Sequence, residues 1–245
     1  IQGGRQNTAP KIQDRIDRFA MVSGGDATDV GNLTVARLEV GASSSSTHGY
    51  AHGGDTGPQY NDTIDKFAYA STSNSTDVGN MTWRTAELGG GTSESYGYLM
   101  GGYAYSTSPS YSGQRNVIEK YSFAADGDAT DVGNLVAAQA GSRGGCSSST
   151  HIYLGGGYVV SSNSAAIDKW AIASDGDATD VGDLTQARAY QSGISSTAYG
   201  YITGGQSTYP SYYDTIDKFS FTSDGNATDV GNMLAAKRGS GTCQY

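Results

Sequence analysis

Histidine, cysteine, tryptophan and proline are scarce here, at three, two, two and four residues among 245. The histidines are His48, His52 and His151, and no cysteine or acid stands at ligand spacing around them. Neither a metal centre nor a catalytic triad can be drawn from such a set, and the histidines read as exposed turn residues. Cys146 and Cys243 fall at nearly equivalent places in two separate stretches of similar sequence. If those stretches form a ring in chain order, a disulfide would have to cross the centre, so two free thiols acting as small buried residues are expected. Positive charge is also in deficit: 15 basic against 24 acidic residues give a formal net charge of −9. A surface of that sign repels phosphate backbones and anionic membranes, which argues against a nucleic-acid partner.

Long apolar runs are absent as well. None approaches the roughly 20 residues that span a bilayer, so no membrane insertion is expected. No apolar pattern of period 3.6 lasts long enough to give a helix. The chain starts at Ile1 with no charged segment followed by an apolar one, and it reads as a fragment or processed product of something longer.

What the chain has in abundance is glycine, 36 residues, tyrosine, 18 residues, and repetition. Thr-Asp-Val-Gly recurs five times, beginning at Thr28, Thr76, Thr130, Thr179 and Thr228, at offsets of 48, 54, 49 and 49. A unit near fifty residues cannot bury its own apolar face and must stack on its neighbours. In the second unit, residues 38–46 form a small-residue strand, and Tyr50-Ala51-His52 a second that stops at Gly53-Gly54. A third runs through Ile64-Asp65-Lys66-Phe67, and Asp77-Val78-Gly79-Asn80-Met81 is a short fourth. Four antiparallel strands repeated five times describe an all-β fold, a five-bladed β-propeller occupying 1–245 as a single domain. The N-terminal unit lacks its first strand, while 235–245 matches only a first strand. The C-terminus is therefore expected to complete the N-terminal blade and close the ring.

These residues resemble the kelch repeat family. The resemblance rests on a Gly-Gly doublet (Gly53-Gly54, Gly101-Gly102, Gly155-Gly156, Gly204-Gly205) followed by a hydrophobic-acid-x-aromatic strand such as Ile167-Asp168-Lys169-Trp170. It covers the whole chain, with Thr-Asp-Val-Gly in place of the outer-strand Trp and five units where six or seven are usual. It implies that the first strands line the axis, where the serine runs 43–46, 147–149 and 195–196 would pack. The Asp-Ala-Thr-Asp-Val-Gly-Asn-Leu wording is also similar to repeats in predicted structural proteins of marine bacteriophages.

Chemistry could sit in three places. The acidic turns, such as Asp126-Gly127-Asp128-Ala129-Thr130-Asp131, offer oxygen ligands, but they lack the EF-hand spacing, and Asx side chains satisfy turn amides unaided. The third-strand acids are expected to bond to neighbouring backbone or to Arg37 and Arg188. The segments after Gly-Gly (55–61, 103–116, 158–164 and 206–214) read as loops that differ while everything around them repeats, and are expected to emerge on one face of the ring. They carry Tyr60, Tyr103, Tyr105, Tyr111, Tyr158, Tyr209, Tyr212 and Tyr213, and tyrosine gives rigid contact area with a hydrogen-bonding tip. These eight are the candidate ligand-binding residues; packing of the tyrosines on one another is the alternative reading.

The expected function is a non-enzymatic binding module, a glycan- or receptor-recognising adhesin domain of a larger assembly such as a phage or virion, placed extracellularly or on the virion surface. The alternatives are a purely structural or protein-interaction propeller and, third, a glycosidase-like enzyme. For the last, only Glu39, Glu87 and Glu94 are available as inner-strand acids, with no third partner, so no catalytic residue, metal or cofactor is expected.

Overall fold

The computed structural model describes residues 2–5, 12–20, 22–141 and 145–239. Every element among them is a strand. The first sheet holds β1 (Gln2–Arg5), β2 (Ile12–Arg18) and β3 (Thr28–Asn32). The second holds β4 (Gly41–Ser44), β5 (His48–His52), β6 (Thr63–Ala68) and β7 (Thr76–Asn80). The third is larger: β8 (Thr85–Ala86), β9 (Gly89–Thr92), β10 (Tyr96–Met100), β11 (Tyr103–Thr107), β12 (Ser110–Ser122) and β13 (Thr130–Gln139). β14 (Gly145–Ser147), β15 (His151–Val159), β16 (Ser162–Ala171) and β17 (Thr179–Asp183) make the fourth. The last is β18 (Ser192–Ser195), β19 (Tyr199–Thr203), β20 (Thr215–Ser220) and β21 (Thr228–Asn232).

The arrangement is all-β and propeller-like. Four sheets contain the four strands of a complete blade, and the first has three. Residues 235–245 were expected to complete the first blade; 235–239 form no strand, and 240–245 lie outside the described residues. Cys243 lies there too. Cys146 is buried and free, its Sγ 3.4 Å from Ile194 O, and burial pushes its thiol up to about 12.

Each pair of successive sheets encloses its own apolar layer. Ile16 and Val30 meet Ala51; Tyr50 and Ile64 meet Leu99 and Tyr121; Ile118 and Leu135 meet Ile152 and Trp170; Tyr153 and Ile167 meet Ile202 and Phe219. The innermost strands β4, β9, β14 and β18 run side by side. Across them Ser44 N donates to Thr92 Oγ1, Thr92 N to Ser147 Oγ and Ser147 N to Ser195 Oγ. Ser147 and Ser195 in the serine runs, and Thr92, therefore have a reason beyond small size: their hydroxyls join one inner strand to the next.

The repeat motif is a clasp between sheets. Gly79 of β7 approaches the next unit's acidic turn so closely that a Cβ there would stand 2.2 Å from Gly127 O, and at Gly133 the distance to Gly176 O would be 2.0 Å. In the acidic turn Asp126 pairs with Lys66 at 2.8 Å, Asp128 Oδ1 accepts from Asn80 N at 2.8 Å, and Asp131 Oδ1 accepts from Gly133 N at 3.1 Å. Each of the three carboxylates thus has a protein donor; Asp131 alone makes the local Asx turn, while Asp126 and Asp128 reach back to the preceding unit.

Two expectations need correction. The segments 103–116 and 158–164 are not loops: β11 pairs with the first half of β12, and β15 runs on into β16 as one long hairpin. In Tyr103-Ala104-Tyr105-Ser106-Thr107 the side chains alternate between the two faces, which suits a strand despite the polar composition. His52 is not exposed; it is fully buried, with Nε2 3.2 Å from Ser43 Oγ. Burial first, and Arg37 second, lower its pKa to about 3, so it is neutral in the fold. His48 and His151 are partly exposed and contact Thr47 and Thr150 hydroxyls through Nδ1.

Candidate functional site

Eleven residues after the Thr of each Thr-Asp-Val-Gly the chain passes close to the axis, at Glu39, Glu87, Gly141, Tyr190 and Gly239. All five have left-handed backbone, with φ of 58°, 58°, 65°, 57° and 65°. They are linked in series: Glu87 N donates to Glu39 O, Gly141 N to Glu87 O, Tyr190 N to Gly141 O and Gly239 N to Tyr190 O, at 2.6 to 3.3 Å. Glycine adopts this conformation freely, whereas other L-residues meet a clash of Cβ with the backbone that costs about 1–2 kcal/mol. Two units use glycine. The other three hold Glu39, Glu87 and Tyr190 there against the backbone's preference, and such strain concentrates at functional sites.

An open cavity of about 430 Å³ lies beside this series of turns, lined by Tyr60, Glu87, Tyr103, Gln114, Tyr158 and Tyr190 among others. Its walls come from different units: Tyr60 follows β5, Glu87 precedes β9, Tyr103 begins β11, Gln114 lies on β12, Tyr158 on β15 and Tyr190 before β18. Gln114 stitches two of them together, donating from Nε2 to Tyr158 O at 2.8 Å and accepting from Val160 N at 2.6 Å. The Tyr60 ring stands edge-on to Tyr103 and Tyr105, at 6.4 and 5.6 Å between centroids. The Tyr190 hydroxyl donates to the Glu87 carboxylate at 3.3 Å, and the Arg238 guanidinium sits 4.9 Å from the Tyr190 ring centroid. Burial, followed by the charges of Glu87 and Glu39 among others, pushes the Tyr60 and Tyr190 phenols up to about 12. Both are protonated at neutral pH and present hydroxyl donors beside carboxylate acceptors.

The structure gathers Tyr60, Tyr103 and Tyr158 of the eight candidate tyrosines, with Tyr105 against Tyr60 at the edge. Tyr111 is used in packing: its ring meets Trp83 at 4.8 Å and its hydroxyl accepts from Arg84 N. Tyr209, 71 % exposed, and Tyr212 and Tyr213 belong to the 206–214 segment, whose Gln206 and Ser207 carbonyls accept from Asn163 Nδ2. They do not line the cavity. Of the three inner-strand acids, Glu39 and Glu87 lie at these turns, and Glu94 lies exposed in the turn at the opposite end of β9 from Glu87. Tyr190 and Gln114 were missed. Tyr190 could have been found from the constant offset of eleven residues, at which it stands where Gly141 and Gly239 do.

The third-strand acids are structural. Arg37 and Asp65 pair at 2.8 Å with both side chains fully buried, and Arg188 and Asp217 repeat the arrangement. The Thr34 and Thr185 hydroxyls then donate to the remaining oxygen, Oδ1, while their backbone N–H groups share Oδ2 with the arginine.

Fold and cavity together define a β-propeller-like repeat protein, a class of scaffold suited to protein binding in general. Comparison of the sequence with protein-family models and with curated proteins finds no match.

Proposed function

We propose that the chain is a five-bladed, kelch-like propeller closed by its own C-terminal strand, and that it is a non-enzymatic binding module recognising a receptor glycan or protein through its axial face. One observation carries this reading: residues that break the repeat, Glu87, Tyr103, Tyr158 and Tyr190, converge on one open cavity of about 430 Å³, a volume within the usual range for small-ligand sites. The motif resemblances support placing it in a larger assembly, extracellular or on a virion surface, with an adhesin-like role. A second reading, protein contact through the hairpin and loop tips, is favoured by the exposure of Tyr209, at 71 %.

The test is a glycan array and a peptide array probed with wild type and with a Tyr103→Ser/Tyr158→Ser variant of matched melting temperature. Selective binding by the wild type, lost in the variant, is the expected result. Binding retained by the variant, or none on either array, contradicts the axial site.

A further inference from the structure

We infer that the axial cavity takes a cationic group, the guanidinium or ammonium of an arginine or lysine side chain presented by a protein partner. This rests on the binding reading above and adds the chemistry of the ligand to it. Tyr60, Tyr103, Tyr158 and Tyr190 line the cavity from four directions of chain, and aromatic faces attract cations through their negative quadrupole. Glu87 stands in the same lining, with Glu39 adjacent to it in the series of axial turns. The amide that could best recognise sugar hydroxyls, Gln114, is already engaged at both ends by Tyr158 O and Val160 N. The rest of the polar lining is chiefly phenol and carboxylate oxygens; the Glu87 carboxylate already accepts from the Tyr190 hydroxyl, and an ionised carboxylate has lone pairs for more than one donor, so the set is acceptor-rich and matches guanidinium and ammonium donors.

The molecule itself supplies a precedent. Arg238 lays its guanidinium over the Tyr190 ring at 4.9 Å and donates to Gln206 Oε1, so a cation of this type is accommodated at the rim. The net charge of −9 draws cations toward the surface from a distance, and the cavity selects among them.

The experiment is an amide and tyrosine-ring NMR titration of the whole chain with N-acetyl-arginine amide and N-acetyl-lysine amide. N-acetyl-glutamine amide and a panel of neutral monosaccharides are the uncharged probes. Saturable shifts with both cations at Tyr103, Tyr158 and Tyr190, and none with the glutamine probe, are predicted. Glu87→Gln weakens cation binding at least tenfold, with its spectrum unchanged away from the cavity, and Arg238→Ala strengthens it by removing the resident cation. If Glu87→Gln perturbs the fold, Glu39→Gln serves with the same prediction. Equal cation shifts in wild type and both carboxamide variants would mean general surface attraction and overturn the inference. Saturable sugar shifts at the same tyrosines, without cation binding, overturn it while leaving the binding module intact. Silence with every probe overturns it as well, and the array comparison then decides the broader reading separately.

Discussion

Asp65, Asp168 and Asp217 hold the same bulged position on the third strands β6, β16 and β20, but the first and last face buried arginines and Asp168 does not. Gln139 stands where the other units have Arg37 and Arg188, and Asp168 accepts a hydrogen bond from Val136 N at 3.2 Å. Burial pushes its carboxyl up to about 6 from 3.8. Because the folded pKa exceeds the unfolded one, the fold binds the proton more tightly, and stability falls as pH rises from about 4 through 6. At 1.36 kcal/mol per unit the loss is about 3 kcal/mol. Asp168→Asn should recover about 2–3 kcal/mol at pH 7 and nothing at pH 4, checked by urea denaturation at both values. His52 acts in the opposite direction: lowered to about 3 from 6.5, it withdraws stability as pH falls below 6.5, because only the unfolded chain then takes the proton. The pairing of the third-strand acids with Arg37 and Arg188 was legible, since buried carboxylates need partners. The burial of His52 was not, because a histidine beside Gly53-Gly54 has the same local sequence whether it points inward or out.

At the scale of elements, the fourth strands and the acidic turns form one device. Gly133 lets Gly176 O approach, Asn134 N donates to Asp177 Oδ1 at 2.9 Å, and Ala178 N donates to Asn134 O at 2.7 Å. Gly133→Ala places a Cβ against backbone that has no side-chain freedom to yield, and should cost about 2–4 kcal/mol. Lys120→Ala removes an ion pair to a half-exposed Asp175 in the same clasp and should cost less than about 1 kcal/mol. Chemical denaturation of the two variants side by side measures the contrast; equal losses would mean that charge and not backbone approach holds the sheets. Repetition made these strands easy to locate, but their tertiary purpose lay in an interface that no single unit contains. The hairpins β11–β12 and β15–β16 were read as loops because Ser108-Pro109 at one tip, and the glycines and serines along the strands, hid a period-two alternation within them.

For the whole molecule, the period gave the stacking of sheets and the small residues gave the axis, while the site depended on which residues depart from the repeat at one turn. Closure predicts a compact disc: a chain of this length has a radius of gyration of about 18 Å when globular, and small-angle scattering would give a clearly larger, elongated particle for an open row of sheets. On the proposed reading, Glu87 at the cavity and Glu39 next to it in the series of turns occupy left-handed backbone for the binding site and not for the fold. Equilibrium unfolding of the Glu39→Gly/Glu87→Gly variant tests it without any ligand, since Gly141 and Gly239 hold the same turn at φ of 65°. The variant should be at least as stable as the wild type, because relief of strain of about 1–2 kcal/mol per site offsets the added freedom of glycine in the unfolded chain. A loss of more than about 1 kcal/mol would show that the carboxylates support the fold, and would contradict their assignment to a binding site.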